Sequence, residues 1–413
     1  MAALDGINKN ASASLAGNFK EVYRTGDITT LVPGIAKLAS IIPFSQRDLI
    51  GNKFHIPLRT QDEHSIVGSV AGTTPSWTTA FEYINGVVAD AQIDGSQLLA
   101  RAAVDYEAIY KSKSDKAAFA KATAEVVKAL SASAAKRREA MLLHGRKGWG
   151  TIESVSGSDI VITAASWAPG LWAGSKGMQL DCYANDGTTA RTLTAADAIS
   201  SITMSTRTIT LGNSVDASWV AGDFLFPQSF SGTVDFIGLS AIAQNTGALY
   251  GVTSELMQGN VVDTSTGLPS MAKILNAASA IADFAGEGRI ICCLSPKAFE
   301  VMNSDQAAMR RYPQASSQGK NGFKGLSFET QVGELALLPH PYAKQGEIIL
   351  FTEAEAYRIG ATDLNFIRRG RDGEEMLSLE VTNAGAGEMR VYSSQALVVE
   401  QARHTAYLGG CTY

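Results

Sequence analysis

Five histidines carry the most versatile chemistry in this chain, and their spacing gives them little to do together. His55, His64, His144, His340 and His404 are scattered. No two of them stand at helical ligand spacing from each other. The run "QDEH" (Gln61, Asp62, Glu63, His64) sets two carboxylates beside an imidazole, which suits either a weak metal site or the solvated tip of a hairpin. Cys182, Cys292, Cys293 and Cys411 have neither zinc nor redox spacing. The adjacent pair lies in "RIICCLS", an apolar strand-like run where small core residues are expected. "GRKGWG" (145–150) is glycine-rich, but it lacks the preceding strand and following helix of a phosphate cradle.

A second charged cluster, "IRRGRDGEE" (367–375), sets Arg368, Arg369 and Arg371 against Asp372, Glu374 and Glu375. It reads as a surface turn or as a subunit contact in which opposite charges fix register. As a phosphate site it is poor, because the acids cancel the arginines. Trp77, Trp149, Trp167, Trp172 and Trp219 do not interleave with basic residues, so they form no stacking platform for nucleic acid. GxGxxG, GxxxxGK[ST], HExxH and GxSxG are all absent. No enzymatic activity and no cofactor are expected.

Elements that could position such residues follow from length and pattern. At 413 residues the chain is long for one core, so two or three substructures are expected. Charged residues are 18% of the chain, below the usual figure of about 25%, which fits a surface covered by partners. A net charge of −5 argues against a dedicated nucleic-acid binder. The start, "MAALDGINKNASASLAG", has no apolar signal-peptide core, and no stretch is long and apolar enough to span a bilayer.

Residues 1–45 read as a polar arm with a short helix near Leu15–Arg24, too small for a core of its own. Residues 51–80 alternate as strands and return through "TTAFEYINGVVADAQI", giving a long-tipped hairpin that needs a partner surface. Asp94 or Ser96 opens a short helix over "SQLLARAAVDYEAIY". Then comes "SDKAAFAKATAEVVKALSASAAKRREAMLLHG" (114–145), without proline or internal glycine: a helix of roughly 45 Å. Ser114 is its N-cap, Gly145 its C′ glycine, and a thin apolar stripe its packing face. From Thr151 to Ser231 short β-branched runs recur between Gly, Asn and Asp turns, as in a small β-barrel or sandwich. A capped amphipathic helix follows in "GLPSMAKILNAASAIADFAGEG" (267–288), with Pro269 near its start and Gly286 closing it, then a strand holding the cysteine pair. Two long strands, "EMLSLEVTN" and "EMRVYSSQALVVEQARHTAYL", close the chain.

In this order the parts resemble the major capsid proteins of tailed bacteriophages, the Hong Kong 97-type fold. The resemblance lies in "FEYINGVVADAQIDGSQLLARAAVDYEAIY" leading into "REAMLLHGRKGWGTI", in "TVDFIGLSAIAQNTGALYGV", and in "EMRVYSSQALVVEQARHTAYL". It implies an α+β fold with an N-terminal arm (1–45) and an extended hairpin loop (46–80). A peripheral domain would hold the spine helix 114–144 in its first part (81–150). An inserted barrel-like β domain (151–231), the peripheral domain's second part (232–287), an axial domain (288–368) and closing strands (369–413) would follow. It also implies self-assembly as pentamers and hexamers into an icosahedral virion shell around double-stranded DNA. Scaffolding, portal and decoration proteins are the implied further partners, with no membrane, and with synthesis in the bacterial host cytoplasm. Arg59, Asp62, Glu63 and His64, with Arg368, Arg369, Arg371, Asp372, Glu374 and Glu375, are the candidate subunit contacts. Lys53, the only lysine of the hairpin, sits at its root, so the lysine–asparagine cross-linking of some members is not expected. Neither is a cleaved N-terminal scaffolding segment. An encapsulin-like compartment shell remains an alternative, as does a hydrolase or lectin-like module on the β-rich segment.

Overall fold

The computed structural model describes residues 36–46, 53–64, 66, 71, 85–107, 122–191, 198–304, 326–330, 333–367, 379–380 and 386–413. The Leu15–Arg24 helix and the Ser114 cap lie outside these residues. The described chain is a mixed α+β fold of three sheets and one two-stranded ribbon.

It enters through a five-residue helix, α1 (Lys37–Ile41), and a short strand, β1 (Phe44–Gln46). Pro43 between them cannot continue a helix. The ribbon pairs β2 (Lys53–Gln61) with β3 (Val87–Asp94), so its return strand begins beyond residue 80. Only the root of the ribbon is buried, through Phe54, Ala91 and Ile93.

The helix expected from Asp94 or Ser96 is instead a ten-residue strand, β4 (Ser96–Asp105). Its first residues alternate, with Ser96 and Leu98 buried and Gln97, Leu99 and Arg101 exposed. Antiparallel pairing of all ten residues with β18 (Ala386–Val399) overrides local helix propensity.

The long helix is described from Ala122 to His144 and is α2. Its apolar stripe is thin as far as Ala134, but every residue from Glu139 to Gly145 is buried. Gly145 is not the left-handed residue expected of a C′ glycine; that conformation falls on Arg146, at φ 68°. Glycine is required at 145 for space, because a Cβ there would lie 2.3 Å from the Phe236 carbonyl oxygen and 2.6 Å from that of Met141. Gly145→Ala is expected to cost about 2–3 kcal/mol through overpacking, read as a lowered chemical-denaturation midpoint. An unchanged midpoint would mean that the 236–238 backbone yields freely.

Next come β5 (Gly150–Ser156), β6 (Asp159–Ile162), the short helix α3 (Pro169–Trp172), β7 (Leu180–Tyr183), β8 (Ile199–Thr203), β9 (Thr208–Leu211) and β10 (Phe224–Pro227). These six strands form one antiparallel sheet in the order β7-β10-β5-β6-β9-β8. A bridge between Gln179 and Ala198 joins its first strand to its last. The Ile199 N–H to Met178 carbonyl bond (2.9 Å) and the Gly177 N–H to Ile199 carbonyl bond (2.8 Å) reinforce the closure. The sheet therefore curls into a small barrel, filled by Ile152, Ile160, Ile162, Ile209 and Leu225.

Beyond it lie α4 (Leu239–Ala243), β11 (Asn260–Asp263), α5 (Met271–Ala282), β12 (Ile290–Leu294), α6 (Pro296–Ser304), β13 (Leu326–Thr330), β14 (Gly333–Pro339) and β15 (Ile348–Thr352). The chain ends with β16 (Ala356–Phe366), β17 (Leu379–Glu380), β18 and β19 (Thr405–Leu408). One sheet runs β11-β19-β15-β12-β14-β13; another runs β1-β16-β18-β17, with β4 on β18. Helix α5 starts at Ser270, whose Oγ accepts from the Lys273 N–H (3.4 Å), with Pro269 just before the cap. Cys292 and Cys293 are buried in β12, and all four cysteines are free thiols.

The last run, expected as one strand, is two. It breaks at a 3-10 turn over Ala402–His404 and crosses from one sheet to the other. Residues 288–368 likewise contribute strands to both sheets, because β16 pairs with β18.

Candidate functional site

Four consecutive charged residues near the end of α2 organise the molecule. Successive helical side chains are rotated by about 100°, so Lys136, Arg137, Arg138 and Glu139 point to different neighbours. Lys136 donates to the Ala173 carbonyl (2.7 Å) beside the barrel, and burial holds its pKa down to about 8. The Arg137 guanidinium lies 4.5 Å over the Trp149 ring and 4.9 Å over that of Phe230. Burial lowers its pKa to about 10, with the charge of Asp235 opposing the shift. Arg138 donates to Asp363 Oδ1 (2.6 Å) on β16. Glu139, fully buried, accepts from the backbone N–H of Leu38 (2.5 Å) and Ala39 (3.1 Å) and from His340 Nε2 (3.0 Å). Barrel, sheet and arm root thus meet on little more than one helical turn.

Asp235 stands where the chain leaves the barrel. Burial lifts its carboxyl to about pKa 7, against the pull of Arg137 and Arg146. The unfolded value is about 3.9, so the folded state holds this proton more tightly. Its contribution to stability is complete below pH about 4 and is lost as the pH rises towards 7. Asp235→Asn, neutral throughout, is expected to gain on the wild type by up to about 1.4 kcal/mol per pH unit across that window. Melting temperatures of the two proteins from pH 4 to 8 measure it. Parallel curves would place the carboxyl in contact with water.

Three of the histidines, His144, His340 and His404, are buried. His340 Nδ1 accepts from the Tyr342 N–H (3.1 Å), which leaves the proton on Nε2, facing Glu139. His144 Nε2 bonds the Tyr342 carbonyl (2.9 Å), and burial pushes its pKa well below the usual value. His404 sits between Glu355 and the Phe284 carbonyl. A cavity of about 250 Å³ at the ribbon's root is lined by Lys53, Asp94, Arg146 and Tyr250 among others, with no Ser, Cys or His. Among the described residues no group of three or more His, Cys, Asp or Glu could hold a metal ion. No helix among them is long and apolar enough to cross a membrane.

The expected contact residues are only partly described. Arg59 Nη2 lies 3.5 Å from Asp62 Oδ1, with both side chains largely in water, and Glu63 and His64 are exposed beside them. Arg368, Arg369, Arg371, Asp372, Glu374 and Glu375 lie outside the described residues. Sequence reasoning missed Glu139, His340 and Arg358. The one available signal was "KRREAMLLHG", where a block of charges runs straight into an apolar turn. The ribbon and β4 also expose large apolar side chains: Ile66 (83%), Leu99 (69%) and Val88 (65%).

No protein-family model matches this sequence, and neither does any curated protein. Solved structures do. The chain is similar to the cyanophage A-1(L) capsid asymmetric unit, with a TM-score of 0.52 at 9% identity, over 95% of this chain and 98% of that one. It is similar to the capsid of the cyanophage P-SCSP1u, with a TM-score of 0.50 at 8% identity, over 95% and 93%. The encapsulin of the holo-SrpI complex from Synechococcus elongatus PCC 7942 gives a TM-score of 0.43 at 10% identity, over 100% and 99%. The mixed α+β fold is therefore shared with two cyanophage capsid chains over 95% of the sequence.

Proposed function

We propose that this chain, having the fold of phage capsid subunits, is a major capsid protein. Copies of it would assemble as pentamers and hexamers into an icosahedral shell that encloses phage DNA in the virion. The observation that carries this reading is the fold shared with two cyanophage capsid chains over 95% of the sequence. A weakly buried ribbon with exposed apolar side chains supports it, since such a ribbon is marginal without a partner surface.

In this reading residues 1–45 are the arm, the β2–β3 ribbon is the extended loop, α2 is the spine and the barrel is an inserted domain. The sheet of β12 to β15 is the axial part, and the sheet of β4, β16 and β18 the peripheral part. Arg59, Asp62, Glu63 and His64, with the 368–375 cluster, are subunit contacts. Scaffolding, portal and decoration proteins are further partners, contact with DNA is non-specific, and synthesis is in the host cytoplasm. Light scattering with negative-stain microscopy on the purified protein tests the reading. Closed shells or capsomer rings support it. A monomer or dimer that persists with co-expressed scaffolding and varied salt overturns it.

A further inference from the structure

Helix α1 is five residues long, and its own sequence caps it poorly. Ala36 stands at the N-cap and offers no side-chain acceptor, where Ser, Asp or Asn would satisfy an orphan N–H. Glu139, 101 residues away, supplies both oxygens to the Leu38 and Ala39 N–H groups. The other end is closed from a third place. Arg358 on β16 donates through Nε to the Ile42 carbonyl (3.1 Å) and through Nη2 to the Ala39 carbonyl (3.1 Å). A carboxylate at the positive end and a guanidinium at the negative end both complement the helix dipole.

These two groups belong to one ring. Arg358 Nη1 also donates to Asp363 Oδ1 (3.0 Å) and to Gln395 Oε1 (3.1 Å), and Asp363 accepts from Arg138, the neighbour of Glu139. Burial alone would raise the Asp363 carboxyl. The Leu364 N–H, Arg138 and Arg358 outweigh it and hold the pKa below the ordinary carboxylate value. Glu139 of α2 and Arg358 of β16 thus grip opposite ends of α1, and Arg138 ties the second grip back to α2 through Asp363. Glu139 is fully buried and Arg358 is 4% exposed, so neither group has water as an alternative partner.

We infer that Glu139 and Arg358 are positioning residues that fix the root of the N-terminal arm, residues 36–46, to α2 and to the β16–β18 sheet. They thereby set where the arm leaves the body. The role in assembly rests on the capsid reading; the clamp itself does not. Removing either group loosens residues 36–46 locally, while the β1–β16 pairing and the burial of Leu38 and Ile42 remain.

Hydrogen exchange on the purified full chain tests this. In Glu139→Gln, the amides of Leu38 and Ala39 are expected to exchange at least about tenfold faster, the effect of losing a buried charge-assisted hydrogen bond. Those of β12 and β15 stay unchanged. Adding Ala36→Asp, which gives α1 a local cap, restores much of the protection. Arg358→Met speeds exchange at Ile42 to Gln46 in the same local way. Unchanged exchange in either single variant, or acceleration spread over the whole chain, overturns the clamp. Shells from Glu139→Gln with wild-type yield and diameter, despite a released strap, overturn its role in placing the arm. If the wild type forms no shells, the capsid reading fails while the exchange result still decides the clamp.

Discussion

Chains in which residues 62–86 are replaced by a two-residue Asn-Gly turn fold normally and do not close into shells. The nine-residue strand β2 pairs with β3 and reaches roughly 30 Å at 3.3 Å per residue. Phe54, Ala91 and Ile93, the buried root, remain in the shortened chain, and Asn-Gly is the preferred closure of a tight hairpin. What is lost is reach, together with Asp62, Glu63, His64 and the exposed Ile66. Contacts repeated around a ring multiply such a loss. Sedimentation and negative-stain microscopy should find subunits or rings at concentrations where the wild type gives shells, with a far-ultraviolet spectrum close to that of the wild type. Shells of normal size from the shortened chain would remove the ribbon from the assembly contacts.

Trp172→Ala is expected to lower the stability of the subunit by about 3–5 kcal/mol, the usual cost of emptying a large aromatic site. The side chain is fully buried at the barrel's junction with the body. Its ring meets Trp149 edge-on at 5.8 Å and stacks on Trp167 at 6.3 Å. Collapse around the cavity is restricted. Gly170 in the same short helix is pressed against residue 341 so closely that a Cβ would lie 2.6 Å from the Pro341 carbonyl oxygen. Trp172→Phe should cost much less, since the indole N–H has no acceptor among the described residues and phenylalanine removes that orphan donor. Urea unfolding followed by circular dichroism separates the variants. A Trp172→Ala midpoint within about 1 kcal/mol of the wild type would mean that the cluster repacks.

These two expected results draw on different parts of the chain, and these parts were unequally legible. The barrel was visible in the sequence because short β-branched runs of four to seven residues recur between Gly, Asn and Asp turn formers. The burial of Cys292 and Cys293 was legible for a similar reason: the apolar run "RIICCLS" states it in full. The order of arm, hairpin, long helix and closing strands was also enough to reach the capsid fold.

Partners far along the chain were another matter. "SQLLARAAV" satisfies a helical and a strand pattern about equally, and only the ten-residue ladder with β18 decides for the strand. The closing run looks continuous, yet it splits because its second half finds β15 in a different sheet. Nothing local to "KRREAM" says where these charges go. Glu139 is buried and Arg138 half-buried because Leu38, His340 and Asp363, at separations of 101, 201 and 225 residues, converge on them. The sequence by itself determined the local elements and the class of fold, since periodicity and capping act within a few residues. Tertiary structure alone decided which charges are buried and what they hold, because a charge is buried only where several distant donors or acceptors arrive together.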